Sequence, residues 1–125
     1  MTQVEAARAG RLTDQMRAVA DAEGTDAGRI LEGLRDGTVV IPVNRLRRDR
    51  YALGIGRGLR TKVNANLGTS SDDALPVHEV DKLRAAIRAG ADAVMDLSTG
   101  GDIETMRRTV LEESTVPVGS VPIYE

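Results

Sequence analysis

From residue 60 onward the chain repeats one pattern: a short apolar strand, a polar glycine-bearing loop, a helix. Asn66, Met95 and Tyr124 recur at 29-residue intervals, each at the C-terminal end of a predicted strand. One strand–loop–helix–loop unit of an α/β barrel averages roughly 30 residues. The three side chains therefore occupy equivalent places in three consecutive units. In barrels and open parallel sheets alike, that rim is where ligands bind.

The predicted strands are 61–66, 93–97 and 116–121. The second, Ala93-Val94-Met95-Asp96-Leu97, reads as buried on both faces. Between the strands, a helix over 76–89 carries Val80, Leu83, Ala86 and Ile87 inward and stops at Gly90. A second is capped by Asp102, with Ile103, Met106, Val110 and Leu111 on its inner side. No helix follows the third strand before Glu125. Three strands of this kind have a raw edge and an uncovered face. We expect the first three strands of a parallel (β/α)8 barrel, cut short or completed by another polypeptide.

Upstream, residues 1–58 read as a helical domain. Thr2 to Ala9 forms a first helix, with Val4 and Ala7 inward and Gly10 as its stop. Thr13 caps a second, with Met16, Val19 and Ala20 inward and Gly24 at its end. Asp26 caps a third, with Ile30, Leu31 and Leu34 on one side and Gly37 beyond. All three are too short to be stable alone. Residues 38–43 (TVVIPV) read as a strand confined to an edge by Pro42. Arg45, Arg47, Arg48 and Arg50 lie in a solvated basic loop or, alternatively, face an anion. Gly54-Ile55-Gly56-Arg57-Gly58 lacks the preceding strand and following helix of a dinucleotide fingerprint. It reads as a linker to the second domain, residues 59–125.

Composition narrows the function classes. Only two aromatics stand in 125 residues, so the core is aliphatic, as suits α/β architecture. A net charge of -2 predicts no strong field for nucleic acid or an anionic membrane. No long apolar run marks a signal peptide or a membrane span, so a cytoplasmic setting is expected. There is no cysteine and a single histidine, so the chain has neither a thiolate nor a histidine-based metal site of its own.

The polar groups around the predicted rim each have two readings. Asn64 and Asn66 share one strand face, with Lys62 two residues before. They either meet a ligand or bond the local turn. Met95 is core by type and rim by position. Asp96 points to the opposite side, toward a helix-facing ion pair. Residues 96–102 put free N–H groups at a helix start, but the Asp102 carboxylate competes with any anion there. Tyr124 offers a phenol for hydrogen bonding or proton transfer. Ser70 and Ser71 have no paired base, and His78 falls in a solvated first helical turn. Asp72, Asp73, Glu79 and Asp81 read as charge favourable to that helix's dipole.

Three phrases carry a resemblance: Gly54–Ser71 (GIGRGLRTKVNANLGTSS), Ala91–Asp102 (ADAVMDLSTGGD) and Val116–Tyr124 (VPVGSVPIY). They resemble the phosphomethylpyrimidine synthase family, as do the N-terminal helices and VVIPVNRLR. The resemblance spans nearly the whole chain. It implies a radical S-adenosylmethionine lyase of thiamine biosynthesis. That enzyme converts aminoimidazole ribonucleotide to hydroxymethylpyrimidine phosphate, releasing formate and carbon monoxide. It implies an N-terminal domain, a (β/α)8 barrel, a [4Fe–4S] cluster, zinc and a homodimer. Its substrate-binding positions match Asn66, Met95 and Tyr124, and its other ligands lie beyond Glu125. The chain departs from the family by lacking the cysteine triad and the metal-binding histidine pair, so it is expected not to catalyse alone. A different class remains open on the residues: a non-catalytic ribonucleotide-binding or scaffold module completed by another chain.

Overall fold

The computed structural model describes residues 1–44, 52–70 and 75–124. The chain divides into two compact units, Met1–Thr61 and Lys62–Glu125. The four arginines of 45–50 lie outside the described residues, as do Ser71, Asp72 and Asp73.

The first unit has three short helices, α1 (Gln3–Arg8), α2 (Asp14–Glu23) and α3 (Ala27–Arg35). Each begins at a side chain that satisfies an orphan backbone donor. The Thr2 hydroxyl accepts from the Glu5 amide at 3.2 Å, and the Glu5 carboxylate accepts from the Thr2 amide at 2.7 Å. Thr13 Oγ1 accepts from the Met16 amide, and Asp26 Oδ1 from the Gly28 amide. Because none of the helices is self-sufficient, they share one core of Ala6, Ala7, Met16, Val19, Ala20, Ile30, Leu34, Val39 and Ile41.

The strand expected over 38–43 is shorter: β1 is Val39–Val40, and the chain leaves it before Pro42. The glycine run is not the linker it was read as. Ile55–Gly56 forms β2 and pairs antiparallel with β1 in the register Val39↔Gly56 and Val40↔Ile55. Gly56 is required there. Its φ is +147°, and a β-carbon would stand 2.2 Å from the Thr38 carbonyl oxygen.

The second unit runs β3 (Asn64–Leu67), α4 (Pro76–Arg88), β4 (Ala93–Asp96), α5 (Ile103–Glu113), β5 (Val118–Ser120) and a single 3-10 turn, Pro122–Tyr124. The strands lie in the order β3-β4-β5, all parallel. Strand alternation sorts their side chains. Leu67, Val94 and Val118, with Ala65, pack against Leu83, Ala86 and Ile87 of α4 and Val110 of α5. The opposite face carries Asn64, Asn66, Ala93, Met95 and Gly119.

Several expectations shift. β3 starts at Asn64, three residues later than read, so Lys62 precedes the strand rather than sharing its face. β4 is not buried on both faces. Val94 and Asp96 are buried, while Ala93 and Met95 are half-buried, because α4 and α5 supply their core residues to one side only. Leu111 is exposed. At about 100° per residue it comes round some 80° from Ile103, off the stripe of Met106 and Val110. β5 covers only Val118–Ser120 of the six residues read as a strand. Pro117 has no N–H to pair, although its carbonyl still accepts from the Val94 amide at 3.0 Å.

Candidate binding site at the sheet rim

Asn66 and Met95 are direct partners in the β3–β4 register, and Met95 in turn pairs with Gly119 of β5. Asn66 is exposed and Met95 half-buried, both on the face opposite α4 and α5. The first 29-residue interval therefore corresponds to one rung of the sheet. The second does not: Tyr124 does not close a strand. It lies in the 3-10 turn four residues after Ser120, and Gly119 holds the place in the rung. Asn64 is also exposed, one step back from the rim on the same face.

The loops after β3 and β4 are joined to each other. The Leu97 amide donates to the Leu67 carbonyl at 2.8 Å, and the Thr99 amide to the Thr69 carbonyl at 3.0 Å. Between these, the Thr69 amide donates to Ser98 Oγ at 3.1 Å, and Thr69 Oγ1 donates to the Gly100 carbonyl at 2.6 Å. Parallel pairing thus runs past both strand ends. Gly68 permits this: a β-carbon on it would stand 2.7 Å from the Leu97–Ser98 backbone.

Two buried carboxylates underlie these loops. Asp96 Oδ1 accepts from the Ser98 amide and from Ser98 Oγ at 3.0 and 2.5 Å, and Oδ2 lies 3.3 Å from Arg107 Nε. This is the helix-facing ion pair expected of Asp96. Glu79 corrects the reading. It is not solvated first-turn charge but 1% exposed, accepting from the Gly68 amide at 2.8 Å and pairing with Lys82 Nζ. Local sequence contains a signal for part of this. Asp-Leu-Ser is the spacing of an Asx turn, and Glu79 and Lys82 stand at i,i+3. Nothing local shows that Glu79 meets the loop after β3. Asp92 was also missed; it is 6% exposed and accepts from the Val63 amide at 2.8 Å.

The start of α5 is occupied by the protein's own carboxylate. Asp102 accepts from the Thr105 amide at 3.0 Å and from Thr105 Oγ1 at 2.7 Å. The amide bond is the larger cause holding its carboxyl below the ordinary value. His78 and Ser70 are exposed. Among the described residues, no group of three or more His, Cys, Asp and Glu is placed to hold a metal ion, and no helix is long and apolar enough to cross a membrane.

Residues 2–125 match the model of the Radical SAM ThiC family. Phosphomethylpyrimidine synthase of Thermoanaerobacter sp. (strain X514) is 57% identical over 127 residues. Those of Dehalococcoides mccartyi and Thermus thermophilus are 51% and 52% identical over 125 and 126 residues. Each alignment takes in 100% of this chain and 29% of the relative's own length.

Proposed function

We propose, for a chain that belongs to the radical SAM ThiC family, that it forms the N-terminal part of a phosphomethylpyrimidine synthase. In this reading β3, β4 and β5 open a (β/α)8 barrel, with α4 and α5 outside and the Asn66–Met95 face inside. The reaction is a radical rearrangement of aminoimidazole ribonucleotide to hydroxymethylpyrimidine phosphate, carried out by a cytoplasmic homodimer. The support is the identity to the named synthases over the whole chain and a sheet whose helices pack on one face only.

The single observation that carries the site is the register pair Asn66↔Met95 at the C-terminal ends of adjacent strands. Ligands in parallel α/β folds bind at that end. The Asn66 carboxamide offers both a donor and an acceptor to the ribonucleotide, and the Met95 thioether offers an apolar contact for its ring. The Tyr124 phenol is proposed as a further hydrogen-bond donor. S-adenosylmethionine cleavage by a [4Fe–4S] cluster is the chemistry the family implies. With no cysteine and one histidine, the residues here fit neither the cluster nor zinc.

The test is equilibrium binding of aminoimidazole ribonucleotide to a full-length family enzyme carrying this sequence as its N-terminal portion. Asn66→Ala is expected to weaken binding about tenfold, and Tyr124→Phe to weaken it too. Wild-type affinity in both variants overturns the assignment.

A further inference from the structure

We infer that Glu79 and Ser98 are positioning residues for Asn66, an inference that rests on the binding role proposed for Asn66. β3 ends one residue after Asn66, at Leu67. The next two backbone amides are each held by a buried side chain from a different element. Gly68 N–H donates to Glu79 of α4 at 2.8 Å, and Thr69 N–H to Ser98 of the loop after β4 at 3.1 Å. Thr69 and Ser98 are 3% and 2% exposed.

These groups sit beside an aliphatic layer of Leu67, Leu83, Val94 and Val110. A buried carboxylate in such a layer is costly unless it is charge-paired and hydrogen-bonded. Glu79 meets both conditions, through Lys82 and the Gly68 amide, and Asp96 does so beneath Ser98, through Arg107. An apolar layer alone would hold α4 and α5 on the sheet. The polar groups add directional control of a particular stretch, the backbone just past Asn66. Ser98 also stands three residues beyond Met95, so one hydroxyl ties the chain past Asn66 to the chain past Met95. Binding groups act well only when their supports hold them to within a fraction of an ångström.

Ribonucleotide affinity of the full-length enzyme carrying this sequence tests the inference. Ser98→Ala and Glu79→Ala are each expected to weaken binding about tenfold. Glu79→Gln retains an acceptor for the Gly68 amide and should recover most of that loss. Arg84→Ala, which breaks an exposed pair with Glu113, should bind as wild type. The decisive variant is Asn66→Ala/Ser98→Ala. If Ser98 acts through Asn66, the double variant binds no more weakly than Asn66→Ala alone. Losses that simply add overturn the inference, as does wild-type affinity in Ser98→Ala while Asn66→Ala is impaired. Wild-type affinity in Asn66→Ala instead removes the binding role of Asn66 itself, and the inference with it. Should Ser98→Ala fail to fold, Glu79→Ala against Glu79→Gln decides: equal affinity in both, at the wild-type level, overturns it.

Discussion

The Val63 amide donates to the Asp92 carboxylate at 2.8 Å across 29 positions of sequence, and the Val63 carbonyl accepts from the Asp92 and Ala93 amides at 2.9 and 3.2 Å. This reciprocal contact joins the leading ends of β3 and β4, opposite the rim. It aligns the two strands where neither is yet regular. Replacing Asp92 with Ala removes the acceptor and is expected to cost about 1 kcal/mol, the low end for a buried partner because Val63 is itself exposed. Asp92→Asn, which keeps a carbonyl oxygen, should cost less. Urea unfolding of the chain measures both, and an unchanged midpoint in Asp92→Ala contradicts the role.

Glycine substitutions separate strain from steric exclusion. Gly37→Ala places a side chain at φ +74° with nothing within 4 Å, so only conformational strain of about 1 kcal/mol is expected. Gly56→Ala also drives a methyl into the Thr38 carbonyl oxygen and should cost about 3 kcal/mol. Thermal melts of the two variants check the order. Equal losses would show that β1–β2 pairing is dispensable.

Asp102 predicts a pH dependence. Its folded carboxyl titrates below the ordinary value of 3.8, chiefly through the Thr105 amide bond. A depressed folded value means that the unfolded chain takes up the proton first as pH falls. The stabilisation is complete above 3.8 and is lost as pH drops through the lower folded value. Asp102→Asn keeps a capping oxygen without the charge, so its stability should fall less steeply over that acid window. Urea midpoints taken across the window decide, and parallel curves for the two proteins refute the effect.

The aliphatic core predicts a sharp contrast between two leucines. Leu83 is 0% exposed in the layer between α4 and the sheet, and Leu83→Ala should cost about 3 kcal/mol. Leu111 is 38% exposed, and Leu111→Ala should change stability by no more than about 0.5 kcal/mol. Comparable losses in chemical denaturation would place Leu111 in the core after all.

Features set by local chemistry were legible in the sequence. Thr13, Asp26 and Asp102 cap the helices they were read to cap, because capping joins a side chain to amides two or three residues away. The pairing of Asn66 with Met95 was legible for a related reason: one strand–loop–helix–loop unit lies between them, and its length is nearly constant. The same counting misplaced Tyr124. β5 ends at Ser120, and Pro122 opens a 3-10 turn instead of extending the strand. Glu79 was misread because a first-turn glutamate is solvated by default. Only the folded loop after β3 brings the Gly68 amide to it. The glycine run at 54–58 was misread because the partner of Gly56 lies 17 residues upstream at Val39, beyond the reach of any local pattern.

Gly119 takes the third place in the Asn66–Met95 rung and brings no side chain. A methyl there would stand 3.0 Å from Met95 Sδ and 3.1 Å from its Cε. The sulfur already rests in the space that a β5 side chain would claim. On this face β5 therefore presents a bare peptide plane as a floor. Beside Asn66, the relief of this face therefore follows the rotamer of one unbranched thioether, which shifts more easily than a branched side chain would.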